Sequence, residues 1–263
     1  HLRHVSSEKW PLLNLALEYY LNQTMSTDQE VMSIVQARGM QGLAAEDRAN
    51  LALAERSLAE ILANPLKEDD VRSILKVKCG ILFNYIRCRA GGKDFKAFMK
   101  SFLEGRTFSD IKGEELIDSL SQRCGEDLGP FLDTWLRENK LPAYVFGSPR
   151  MHEIIDGNKT RYQILFAITN DGVADGLIGV NFVWSASSNF EKIFGSRPEN
   201  QADERFYTLK AGQSKEMGIV LDEKIHKLWL NTCLSQNLPG SLALSFVDVK
   251  PEPGAKPFEG ERV

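Results

Sequence analysis

Apolar residues recur at intervals of three and four through the first ~140 positions and at intervals of two thereafter, with the change at Leu141-Pro142. In the first part, Trp10, Leu13, Leu17, Tyr20 and Leu21 form one helical stripe, with Ser6, Ser7 and Glu8 as capping residues and Pro11 in the first turn. Thr27 as N-cap, with Glu30 three residues on, predicts a short helix ending near Gly39. Residues 44–63 carry the stripe Leu51, Ala54, Leu58, Ile61 and Leu62 and stop at Asn64-Pro65. From Asp69 or Asp70 to about Ala90, the residues Ile74, Val77, Ile81, Leu82, Tyr85 and Ile86 make an apolar face wide enough to place this helix at the centre of a helical core. Gly91-Gly92 ends it, because glycine takes the left-handed turn that closes a helix. Residues 93–103, with Phe95, Phe98, Met99 and Phe102 on one face, predict the next helix. Two more follow at 113–123 and 128–138, separated by Gly125, with Pro130 in the first turn of the second.

Past the junction, Tyr162, Ile164, Phe166 and Ile168 alternate with Gln163, Leu165, Ala167 and Thr169, the mark of a strand buried on one side. Further strands are expected at 177–184, 205–209, 216–221, 227–233 and 242–249, with turns at Asn170-Asp171-Gly172, Asp175-Gly176, Ala211-Gly212 and Pro239-Gly240. Seven or so short strands in about 110 residues predict a sandwich of immunoglobulin-like type. The Pro-, Gly- and charge-rich stretch after Lys250 is expected to fray. The expected fold class is therefore α+β: an all-α helical domain at 1–140, an immunoglobulin-like β-sandwich at 141–250 and a flexible tail at 251–263.

Composition narrows this further. With 263 residues, 43% of them hydrophobic and 26% charged, the chain can bury the cores of two globular domains. A net charge of -4 with no basic face argues against a nucleic-acid partner. The longest apolar run, 74–86, is interrupted by Lys76, Lys78 and Asn84, so no membrane span is expected. The chain opens without Met and without an apolar leader, directly into helical patterning, and reads as a piece of something longer. Cys79, Cys88, Cys124 and Cys233 form no C-x-x-C pair and read as small buried hydrophobes rather than a zinc knuckle. No G-x-S-x-G elbow and no phosphate-binding G-x-x-x-x-G-K-[ST] loop occurs.

Three ordered stretches carry a resemblance. They are Lys78-Cys79-Gly80-Ile81-Leu82 followed by Gly91-Gly92-Lys93-Asp94-Phe95, Phe98 and Phe102; Gly125-Glu126-Asp127-Leu128 with Phe131, Trp135 and Leu136; and Leu141-Pro142. In order and spacing, over about residues 70–145, they resemble the gluzincin zinc aminopeptidases, the family of aminopeptidase N and leukotriene hydrolase. The resemblance implies the last catalytic-domain helices of such a protein and a following β-sandwich, which matches in type only.

The family's chemistry, carried over residue by residue, departs from the pattern at every matched catalytic position. Its zinc is held by H-E-x-x-H and by a glutamate on the next helix, with the intervening glutamate activating the metal-bound water. No H-E-x-x-H occurs here, and His1 and His4 are three apart with no glutamate between them. Leu13-Asn14-Leu15-Ala16-Leu17-Glu18-Tyr19-Tyr20 is similar to the family's next helix, with Leu15 where the zinc glutamate stands. Glu18 lies one turn on, in a register that breaks the rest of the match. The family's oxyanion-binding tyrosine corresponds to Lys76.

No residue of this chain is therefore assigned a catalytic or metal-binding role, and no substrate-binding residue is named. No cofactor is expected in this chain, and zinc belongs to the parent protein if that protein is active. The expected function is that of a non-catalytic C-terminal segment of an aminopeptidase-like protein, acting as scaffold or interaction region toward a protein or peptide partner. Two alternatives stand beside it: part of an active zinc aminopeptidase whose H-E-x-x-H half lies upstream, and a stand-alone β-sandwich interaction module. In some bacterial proteins that this chain resembles, such a region is fused to membrane-transporter helices. That implies a membrane-anchored parent and an extracytoplasmic placement.

Overall fold

The structure, a computed structural model, describes residues 4–25, 45–64, 68–92, 94–106, 109–184, 205–246, 249–252 and 254–263. The helix expected at 27–39 and the side chain of His1 lie outside the described residues. The chain divides into two units, His1–Lys140 and Leu141–Val263.

In the first unit β1 (His4–Ser6) leads into α1 (Leu13–Met25), α2 (Ala45–Glu55), α3 (Leu58–Ala63), α4 (Glu68–Arg89) and α5 (Phe95–Glu104). β2 (Asp110–Lys112), α6 (Gly113–Cys124) and α7 (Gly129–Arg137) complete it. Glu68, Asp69 and Asp70 at the start of α4 and Arg87 and Arg89 at its end complement the helix dipole. The helix closes where Gly91 and Gly92 take φ of 78° and 72°, with the Gly92 N–H on the Arg87 carbonyl at 2.9 Å. Both α1 and α2 pack on α4. The Tyr20 ring reaches Phe83 of α4 at 5.6 Å and Phe95 of α5 at 5.9 Å, joining three helices through one side chain.

The single helix expected at 44–63 is two helices. Ser57 caps α3 in a reciprocal box: the Glu60 N–H donates to Ser57 Oγ at 3.2 Å, and the Ser57 N–H donates to Glu60 Oε2 at 2.7 Å. That local bonding offers the backbone an alternative to continuing the helix.

The first unit is not all-α, which overturns part of the expected fold class. β1 and β2 pair in parallel, Val5 opposite Ile111, and both side chains are buried. Each strand is three residues long with one inward apolar residue, too short to show a period of two.

The second unit contains β3 (Tyr144–Phe146), β4 (Arg150–Asp156), β5 (Lys159–Asn170), β6 (Gly176–Trp184) and β7 (Arg205–Leu209). β8 (Ser214–Leu221), β9 (Ile225–Asn231), β10 (Ser241–Ser245), β11 (Lys250–Pro251) and β12 (Gly260–Arg262) follow. One sheet runs β10-β9-β6-β7 and the other β11-β4-β5-β8-β12, with β3 also on β5. Ile164, Phe166, Ile168, Met217 and Ile219 from the second sheet share one core with Ile178, Val180, Phe182, Leu228 and Leu230 from the first.

The immunoglobulin-like assignment is corrected by this connectivity. Among the described residues there are ten strands rather than seven, β11 runs parallel to β4, and residues after 249 supply outer strands on both sides of the larger sheet. The tail expected to fray is therefore part of the sheet. Its two paired pieces, of two and three residues, are too short for a strand signal.

Asn170 fixes the turns of this unit. It is fully buried; its Oδ1 accepts from the N–H groups of Ala143 at 3.2 Å and Gly172 at 3.1 Å, and its Nδ2 donates to the carbonyls of Ala174 at 2.8 Å and Lys210 at 3.1 Å. Only glycine fits at 172, where a Cβ would lie 2.3 Å from the Ala143 nitrogen. An Asn170→Ala variant removes the side-chain partner of two part-buried N–H groups and three carbonyls. The expected loss is about 2–4 kcal/mol of stability, read as a lower urea midpoint.

Candidate functional site

The candidate surface is formed by the residues of α1 and α4 that the resemblance aligns with zinc and oxyanion groups. The entry of α1 is set by Asn14, whose Oδ1 accepts the Val5 N–H at 2.9 Å, so the side chain ties the helix to β1. The same amide donates from Nδ2 to Glu18 Oε1 at 2.7 Å. Glu18 is thus exposed and already engaged by its neighbour one turn back. Leu15 is half-buried beside Leu13, Ala16 and Leu17, which are buried. His4 is exposed at the start of β1. Lys76 stands on the outer side of α4, paired with Glu46 Oε1 at 3.8 Å. Among the described residues no group of three or more His, Cys, Asp or Glu side chains is placed to hold a metal ion.

One residue of α4 has more chemistry than its sequence context suggested. Lys78 is 4% exposed, and its ammonium lies 6.0 Å from the Trp135 ring centroid. Trp135 Nε1 donates back to the Lys78 carbonyl at 3.2 Å, joining α7 to α4. Burial lowers the Lys78 pKa from its ordinary 10.5 to about 8, with only a small opposing effect from Cys79. The thiol of Cys79 is pushed the other way, up to about 12, again by burial. A protonated thiol at that depth is no nucleophile. The signal for Lys78 was present in the spacing, since it lies four residues after Ile74 and four before Leu82, on the apolar face.

The α6–α7 connection is clamped by Arg89. Its guanidinium lies 4.6 Å from the Phe131 ring centroid and 5.2 Å from that of Tyr85, and it pairs with Glu126 Oε1 at 3.0 Å. A separate depression of about 180 Å³ between α2 and α4 is lined by Ala45, Arg48, Ala49, Ala52, Asp70, Ser73 and Ile74. Lys78 is not among its lining residues. Of the residues the resemblance singles out, Leu15 is half-buried, Glu18 is bonded to Asn14 and Lys76 is paired with Glu46.

No family model matches this chain, and no curated protein matches it. Solved structures similar to parts of it include a β-glucosidase from Erythrobacter marinus, 17% identical over 40% of this chain and 16% of that one, with a TM-score of 0.25. A β-glucosidase from Bifidobacterium adolescentis is 15% identical over 40% of this chain and 17% of its own, at a TM-score of 0.25. One from Listeria innocua is 13% identical over 43% and 16%, at 0.24. The matched region spans about a sixth of those enzymes' length, and at such TM-scores the likeness supports no conclusion about this chain's activity.

The buried amine gives a pH test with a defined sign. Between about 8 and 10.5 the unfolded chain holds the Lys78 proton and the folded chain does not, so stability rises with pH across that window. Below it, burying the charged form costs about 3 kcal/mol. Lys78→Met removes the cost. The variant is expected to exceed the native chain by about that amount near pH 7, and the gap is expected to close toward pH 10.5 in paired urea titrations.

Proposed function

We propose that this chain is a non-catalytic segment of an aminopeptidase-like protein, acting as scaffold and as an interaction region. One observation carries the reading. Leu15 and Lys76 occupy the positions matched to the zinc glutamate and the oxyanion tyrosine, and the nearest replacement carboxylate, Glu18, is held by Asn14 at 2.7 Å. A hydrocarbon offers no lone pair to zinc, which takes three protein ligands even in its open catalytic sites. A parent chain supplying both histidines from upstream would remain one ligand short. Lys76 pairs with Glu46 at 3.8 Å on an exposed face, where its charge is screened rather than focused on a reacting oxygen.

In this reading the helices that line a cleft in active relatives serve here as a packed wall, and the β unit binds a protein or peptide. No helix among the described residues is long and apolar enough to cross a membrane. A membrane-anchored parent with this region on the extracytoplasmic side remains part of the proposal, by resemblance to the bacterial fusions. The test is metal analysis of the protein after zinc loading and gel filtration, beside hydrolysis of amino-acid p-nitroanilides. The expected result is zinc well under one per chain and hydrolysis no faster than buffer. Stoichiometric zinc lost in a Glu18→Ala variant overturns the proposal.

A further inference from the structure

β10 is an outer strand of the smaller sheet and pairs with β9 on one side. The Thr232 N–H donates to the Gly240 carbonyl at 2.9 Å, and Ser241, Leu242 and Ala243 then stand opposite Asn231, Leu230 and Trp229. In an antiparallel ladder the backbone groups point to the same neighbour at every second residue. The groups of Leu242 and Leu244 are therefore turned to β9, and the N–H and C=O of Ser241, Ala243 and Ser245 are turned to the open edge. Among the described residues no strand pairs with that side.

That edge is unguarded and symmetric. It reads Ser-Leu-Ala-Leu-Ser, the same in both directions about Ala243, and holds no charge and no proline. Other outer strands carry such residues: Arg205 on β7, Lys250 and Pro251 on β11, Glu261 and Arg262 on β12. Charges and prolines are the devices that keep sheet edges from pairing with other chains. Leu242 stands opposite the core residue Leu230, so its side chain lies on the core side, yet it is 39% exposed. Ala243 and Ser245 are small and exposed, so another backbone can approach them closely.

We propose that β10 is a dimerisation strand, taking the β10 of a second copy in antiparallel register about a two-fold axis at Ala243. In that register Ala243 faces its own counterpart, Ser241 faces Ser245 of the partner subunit, and every open N–H and C=O of the three residues is paired. Leu242 stands opposite Leu244 of the partner subunit in a closely spaced pair, which covers the exposed part of its side chain. The two smaller sheets become one sheet across the axis. A strand that binds only foreign peptides has no need to read the same in both directions, whereas a two-fold interface requires each contact to be made twice, with the roles exchanged. The pairing would form whether or not the helices ever held zinc, so it does not rest on the proposed function.

Analytical ultracentrifugation of the full-length chain across a dilution series tests this. The contact is small, so the expected dissociation constant is on the order of 10 μM rather than nanomolar. Because Ala243 meets itself, Ala243→Lys sets two ammonium groups face to face, and Ala243→Asp sets two carboxylates. The position is exposed, so the fold is expected to tolerate both. Each variant is expected to dimerise at least ~5-fold more weakly than the native chain. An equimolar mixture of the two is expected to regain the native affinity, with that recovery shrinking in high salt.

A native chain that stays monomeric at ~0.3 mM overturns the proposal, and so does a dimer that neither substitution weakens. If circular dichroism shows that a variant has lost its β structure, amide hydrogen exchange of the native chain takes its place. The Ala243 and Ser245 amides are expected to be protected at high protein concentration and to exchange freely on dilution. Exchange that does not change with concentration overturns the pairing.

Discussion

The burial of α4 on nearly every side orders the first unit. From Val77 to Ile86 only Ile81 is not buried, so no single stripe of this helix can be left to solvent. A helix apolar all round must be enclosed by other elements. α1 and α2 meet that need directly, the Tyr20 ring adds α5, and the Trp135 indole adds α7 through the Lys78 carbonyl. The enclosure has a cost, since two polar residues, Lys78 and Asn84, are carried into the interior with it. It also has a functional consequence. The inward side chains of α1 and α4 are committed to packing, and Glu18 and Lys76 are among the residues these helices leave outward.

In the second unit the comparable constraint is the open edge rather than the open face. A sheet of four or six strands leaves two rows of unpaired backbone groups, which invite association. In the larger sheet the C-terminal segment covers parts of the outer sides of both β4 and β8, as β11 and β12. Asn170 does the complementary work at the turns, satisfying backbone groups that no ladder reaches. Both devices replace missing regular pairing with specific side-chain contacts.

Legibility in the sequence followed the length of the repeat. α4 was readable because its apolar face repeats over six turns and its glycine stop is explicit. The break at Ser57 was written as S-x-x-E, yet the run of Ala and Leu on both sides concealed it. β1 and β2 carry one inward residue each, and β4 reads Arg-Met-His-Glu-Ile-Ile-Asp, in which charge masks the alternation. The C-terminal segment reads as disordered because Pro, Gly and Glu are depleted in strands generally. Its pairing, two residues on β4 and three on β8, is accompanied by ion pairs that no local pattern encodes. For the candidate site, Leu15 and Lys76 could be read directly from side-chain chemistry. The depth of Lys78 depended on what covers the helix, although its spacing from Ile74 and Leu82 already placed it on the apolar face.

Two lysines show how the same side chain takes opposite parts. Lys78 has no carboxylate partner among the described residues, and its burial disfavours the charged ammonium, against the attraction of the Trp135 indole face 6.0 Å away. Such a group weakens the fold at neutral pH and persists because the helix around it is needed for packing. Lys215 is almost as enclosed, but Glu261 and the Thr208 carbonyl complete its shell. Its charge is therefore compensated by the Glu261 carboxylate, supplied from the C-terminal segment.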